Sequence, residues 1–169
     1  MNARMTMLLA LALAGTLVRP AAAADSAVWS RPMLTPEAAM QAARAAQAEC
    51  RKQGWQVTVS VTDASAVPLV VLRDRFAGWH TVEGSIDKAR TAASWRGDTA
   101  SLAARVMRPG APEKAVEHIP GVLMLGGGIP MEAAGQVVGA IGVSGAPGVD
   151  NDVVCAKAGI AAIEAELAF

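Results

Sequence analysis

Gly126–Gly145 reads GGGIPMEAAGQVVGAIGVSG, and how these twenty residues, seven of them glycine, are read decides the fold. Two alternating apolar runs, Ile129–Glu132 and Val137–Val143, flank Ala133–Gln136, which has the composition of a tight turn. A linker would lack such runs, so the stretch is predicted to be a β-hairpin. Gly139 and Gly142 inside the second strand mark close approach by another backbone or by a ligand. Gly126, Gly127 and Gly128, just before the hairpin, allow backbone angles closed to other residues and are candidate ligand contacts. The alternative is a glycine-rich hairpin edge with no ligand.

On the N-terminal side, Gly121–Leu125 reads as a further strand, preceded by a proline-rich loop over Met107–Pro120. On the C-terminal side, Asn151 or Asp152 is expected to cap a last helix running to about Leu167. Earlier in the chain, Val57, Val59 and Val61 alternate with Thr58, Ser60 and Thr62, predicting a strand with one buried face. Leu69–Arg73 pairs with it across a turn at Asp63–Val67. An Ala-rich helix is expected from Thr35, its cap, through Pro36 and Glu37 to about Gln53, with Gly54 closing it. A second helix is placed at Thr81–Trp95, and a third at Thr99–Val106 with Thr99 as cap. The result is an α+β single domain in the profilin-like order α-β-β-α-α-β-β-β-α. Its tight connections imply a five-stranded antiparallel sheet flanked by helices, with the first and last helices on one face.

Lys plus Arg equals Asp plus Glu at 15 each, and tyrosine is absent. Neutral balance and few aromatic rings argue against a nucleic acid partner or an anionic membrane surface. Residues 1–24 carry the pattern of a cleaved secretory signal: Arg4, the apolar run Met5–Val18, and Ala22-Ala23-Ala24 before Asp25. Residues 25–34 read as a loose lead and 35–169 as the folded domain. The expected location is therefore periplasmic or secreted, with no membrane attachment after cleavage. Such a compartment permits a disulfide between Cys50 and Cys155, and two buried free thiols are the equally ordinary alternative.

Several ordered motifs resemble one known family. Ser85-Ile86-Asp87-Lys88-Ala89-Arg90-Thr91-Ala92-Ala93 resembles its central helix. Gly126–Pro130, Gly135–Gly145 and Asn151-Asp152 with Ala156-Lys157-Ala158-Gly159 resemble its C-terminal signature. The family is the HbpS-like, GlcG-type group (DUF336), which includes the C-terminal domain of some PduO proteins, and the similarity covers about Leu34–Leu167. The resemblance implies the five-stranded sheet and assembly into homo-oligomers, from dimers to octamers. It also implies haem as ligand in some members, with one exported member described as haem-degrading and redox-sensing. The sequence departs from the family at Asp63–Pro68 and at Arg73–Gly78, the second of which is expected to border the ligand pocket.

Two histidines stand in the chain, and a haem iron favours a His axial ligand. His80, beside Trp79 at the entry to the central helix, and His118, before the Gly-rich segment, are the candidate axial ligands. Lys88 and Arg90, two apart on a helix, point to nearly opposite faces, so one of them reaches a pocket to meet a carboxylate or haem propionate. The competing reading makes these charges a solvated face and the histidines structural. Met124 and Met131 are expected to be core or interface fillers. Glu83, Asp87 and Glu117 lack metal-ligand spacing. Ser144 lacks the full nucleophile-elbow pattern, which excludes a serine hydrolase. The leading expectation is an exported tetrapyrrole-binding protein. A catabolic enzyme acting on a small hydroxy- or oxo-acid, with His or Asp moving a proton, and a ligand-free accessory oligomer are the alternatives.

Overall fold

The computed structural model describes residues 27–28 and 30–168. The chain divides into Met1–Ser30 and Arg31–Phe169; the architecture below is that of the second unit. The expected signal, residues 1–24, lies outside the described residues.

Helix α1 spans Pro36–Lys52, and Thr35 Oγ1 accepts from Ala38 N as its cap. Ala39, Ala42, Ala43, Ala46 and Cys50 form its buried stripe at helical spacing. Four strands follow the expected hairpins: β1 (Thr58–Asp63), β2 (Pro68–Arg73), β3 (Gly128–Ala133) and β4 (Gln136–Ser144). They form one antiparallel sheet in the order β2-β1-β4-β3. Ala134 and Gly135, with φ of 49° and 73°, make the two-residue turn that joins β3 to β4.

The expected third strand at Gly121–Leu125 does not form, so the sheet has four strands among the described residues and not five. A side chain takes the polar groups that a fifth strand would have satisfied. Thr99 Oγ1 accepts from Gly128 N at 2.9 Å and donates to Leu125 O at 2.7 Å, while Leu123 N donates to Thr91 Oγ1. The segment is thereby held to helices, and Met124 packs with Leu102 and Val106.

Helix α2 (His80–Trp95) covers the second face of the sheet, so β1 is buried on both faces and not on one. Thr58 and Ser60 accommodate this by hydrogen bonds to Thr81 (2.6 Å) and Ser85 (2.7 Å). The close approach read from Gly139 and Gly142 is to backbone. A Cβ at 139 would lie 2.5 Å from Thr62 O, and one at 142 would collide with Ser85 O.

Helix α3 (Thr99–Val106) is capped by Asp98, whose Oδ1 accepts from Ser101 N at 2.8 Å; Thr99, the expected cap, turns its hydroxyl to the hairpin instead. Pro112–His118, expected as loop, forms a 3₁₀ segment. The last expected helix is two: α4 (Val149–Ala161), preceded by Gly148 as cap, and α5 (Glu164–Leu167). Asp152 lies within α4 and does not cap it.

Helices α1 and α4 share the face of the sheet opposite α2. Gly159 makes their contact close, since a Cβ there would lie 2.7 Å from Ala42 O. Cys50 and Cys155 are disulfide-bonded across this contact, with Cα atoms 5.6 Å apart. Met124 and Met131 are buried, as expected of core fillers.

Candidate functional site

Lys88, one of the expected ligand contacts, is 1 % exposed and turned inward from α2. Its Nζ lies 2.7 Å from Asp152 Oδ2 and donates to Val143 O at 3.0 Å. Asp152 Oδ1 accepts from Ala146 N at 3.0 Å. Burial pushes the Asp152 carboxyl above its ordinary value, and Lys88 and the Ala146 N–H pull it part of the way back. The glycine triplet makes room for this pair. At Gly127, with φ of 117°, a Cβ would lie 2.7 Å from Val143 O, 2.8 Å from Asp152 Cβ and 3.1 Å from Lys88 Nζ. At Gly128 it would collide with Lys88 O, whereas at Gly126 it would find ordinary contacts with Ala100 and Val149. Lys88, Gly127 and Gly128 thus meet protein atoms.

His80 opens α2 and is exposed. The loop before it is fixed at its base. Asp74 is buried and accepts from Val57 N (3.0 Å) and from Arg51 Nε (2.7 Å). Arg73 donates to Ala77 O, and Thr81 Oγ1 donates to Gly78 O at 2.6 Å. On this fixed base the loop holds out two rings, Phe76 at 77 % and Trp79 at 81 % exposure. Trp79 stands edge-on to the His80 imidazole at 6.1 Å, and the Arg75 guanidinium lies over the Phe76 ring at 5.8 Å. The imidazole folds back over Gly78, where a Cβ would lie 2.5 Å from His80 Cε1.

Arg90 stands ten residues further along α2, about 15 Å at the helical rise, so His80 and Arg90 belong to separate places. Arg90 Nη1 lies 3.7 Å from Asp87 Oδ1. Burial raises the Asp87 carboxyl, Arg90 lowers it in part, and Glu83 adds to the rise. His118 ends the 3₁₀ segment with its side chain 80 % exposed and 3.7 Å from Glu117. Among the described residues no group of three or more His, Cys, Asp or Glu is placed to hold a metal ion. No helix among them is long and apolar enough to cross a membrane.

Sequence reasoning missed the Lys88–Asp152 pair, because Asp152 had a sufficient role as a helix cap. The exposure of the Phe76 and Trp79 rings was missed too, although the departure of Arg73–Gly78 from the resembled pattern points to that loop.

Comparison with known proteins agrees with this fold. HbpS from Streptomyces reticuli, solved as a double mutant, superposes with a TM-score of 0.76 at 41 % identity, covering 85 % of this chain and 95 % of that one. The PduOC structure, solved as a haem complex, gives 0.73 at 32 % identity, covering 78 % and 95 %. Protein GlcG of Escherichia coli strain K12 is 31 % identical over 112 residues, which span 66 % of this chain and 81 % of GlcG. A family model described as "Haem degrading protein HbpS-like" matches residues 34–161, from the lead into α1 through to the end of α4. The chain belongs to the HbpS-like family.

Proposed function

We propose that the protein is an exported haem-binding protein in which His80 is the axial ligand. The observation that carries this reading is the His80 imidazole, exposed beside the Trp79 ring on a loop whose base is fixed and which also holds out Phe76. An exposed imidazole nitrogen is a ready iron ligand, and a flat apolar ring beside it suits a porphyrin face. Arg75, on the same loop, is the nearest cation in sequence for a propionate. Haem bound here would supply a redox-active iron. The residues of this chain would position it: Gly78 leaves room for the imidazole, and Asp74 and Arg73 keep the loop in place. His118 is the second candidate ligand, on a separate element. Lys88 and Gly126–Gly128 act in this reading as internal support for α2 and β4. Export is supported by the signal-like residues 1–24 and by the Cys50–Cys155 bridge, which suits an oxidising compartment. Exposed Trp79 and Phe76 also favour assembly of copies around the ligand.

Titration of the purified mature protein with haemin tests the reading. Saturable growth of a shifted Soret band, lost in His80→Ala and retained in His118→Ala, is the expected result. A featureless titration, or one that His80→Ala leaves unchanged, overturns it. Light scattering with and without haemin reads the assembly state.

A further inference from the structure

The C-terminal half of α2 and the segment after the 3₁₀ turn flank an open groove of about 310 Å³ that the haem reading does not use. Arg90, Ser94 and Trp95 line one side, and Ile119, Pro120 and Val122 the other. The walls are held at a fixed spacing. Leu123 N donates to Thr91 Oγ1 at 2.9 Å, and Trp95 and Val122 both rest on the Leu102, Val106 and Met124 cluster. Such a groove is preorganised, and its size is at the lower end for small-molecule sites.

Arg90 is the only charged lining residue; its Nη1 makes a loose ion pair with Asp87 Oδ1 at 3.7 Å, and a Cβ at the lining residue Gly121 would lie 3.8 Å from that same carboxylate oxygen. A guanidinium carries five N–H donors and this single long contact engages one end of it, so donors remain for a planar anion. Around them stand an indole ring, two aliphatic side chains and a proline, with Ser94 as a polar neighbour. We infer that this groove binds a small planar organic carboxylate, its carboxylate paired with Arg90 and its apolar body between Trp95 and Ile119. The site is separate from His80, so it stands whether or not the haem reading does.

The test uses benzoate as probe on the full mature chain, followed by calorimetry and ligand-observed NMR. Saturable binding is expected, with benzamide, the neutral isostere, failing to bind. Arg90→Gln is expected to weaken benzoate by about tenfold or more. Ile119→Trp, which fills the groove, should remove binding while circular dichroism and Tm stay near those of the parent. Absence of saturable binding, equal affinity for benzamide, or an Arg90→Gln variant that binds like the parent would overturn the proposal. A haem propionate carries the same chemistry, so the titration is repeated with haemin-saturated protein and with His80→Ala. Benzoate binding unchanged in both supports a free acid as occupant. Displacement of benzoate by haemin, with haemin still bound by His80→Ala, assigns the groove to the porphyrin and sinks the free-acid proposal.

Discussion

Lys88 and Asp152 are 64 residues apart in the chain and 2.7 Å apart in the fold, at 1 % and 5 % side-chain exposure. Their contact joins α2 to the first turns of α4 behind the Gly-rich segment. A buried pair of this kind is costly to break from one side, because the survivor is left charged without a partner. Lys88→Met or Asp152→Asn should each lower unfolding free energy by about 3–5 kcal/mol, read by urea denaturation. The double variant Lys88→Met/Asp152→Leu should recover most of that loss, and a double variant as unstable as either single one would contradict the account.

Thr62 Oγ1 is the one buried side-chain oxygen or nitrogen without a hydrogen-bond partner among the described residues. Thr62→Val keeps the shape and removes the orphaned hydroxyl, so stability should rise by about 1 kcal/mol. Two positions earlier on the strand, Ser60→Ala takes a partner from Ser85 and should cost about 1 kcal/mol. Thermal unfolding of the two variants should show opposite shifts in Tm.

Gly142 and Gly54 separate two demands on glycine. A methyl at 142 meets the backbone of α2 at Ser85 O and Ala89 N, and neither can step aside alone. Gly142→Ala should cost about 3 kcal/mol or more. Gly54 has φ of 75° with nothing nearby, so Gly54→Ala carries only backbone strain, about 1–2 kcal/mol. Chemical denaturation of both variants checks the ranking.

Asp98 gives a signed pH dependence. Burial alone would raise its carboxyl, but hydrogen bonds from Ser101 and Ala100 at the start of α3 outweigh that and hold it below its ordinary value of 3.8. The folded state therefore favours the ionised form. That contribution is present above pH 3.8 and is lost as pH falls through the lowered value. Asp98→Asn retains a capping oxygen without the charge. Its stability should trail the parent at pH 7 and converge with it in acid. A gap that stays constant down to low pH would refute the assignment.

The hairpins, α1 with its Thr35 cap, and the extent of α3 were legible because each is fixed by neighbours in sequence: alternation, a cap, a two-residue turn. Gly121–Leu125 was misread because its apolar pattern suits a strand. What keeps it out of the sheet is the Thr99 hydroxyl, more than twenty residues earlier. The same limit applies to Lys88. Its helix face was apparent from spacing, yet whether that face met solvent, ligand or Asp152 depended on where α4 packs. His80 and Arg90 could be picked as chemically capable residues, but their distance along α2 and the groove beside Arg90 are properties of the assembled domain.

The strand order β2-β1-β4-β3 puts the earliest strand, β1, hydrogen-bonded to the latest, β4, at the centre of the sheet. No N-terminal fragment can complete this pairing, and Cys50 meets Cys155 only after 105 further residues have been made. Folding must therefore await nearly the whole chain. Until β4 is made, β1 has β2 as its one partner in the sheet, and the centre of the sheet is open.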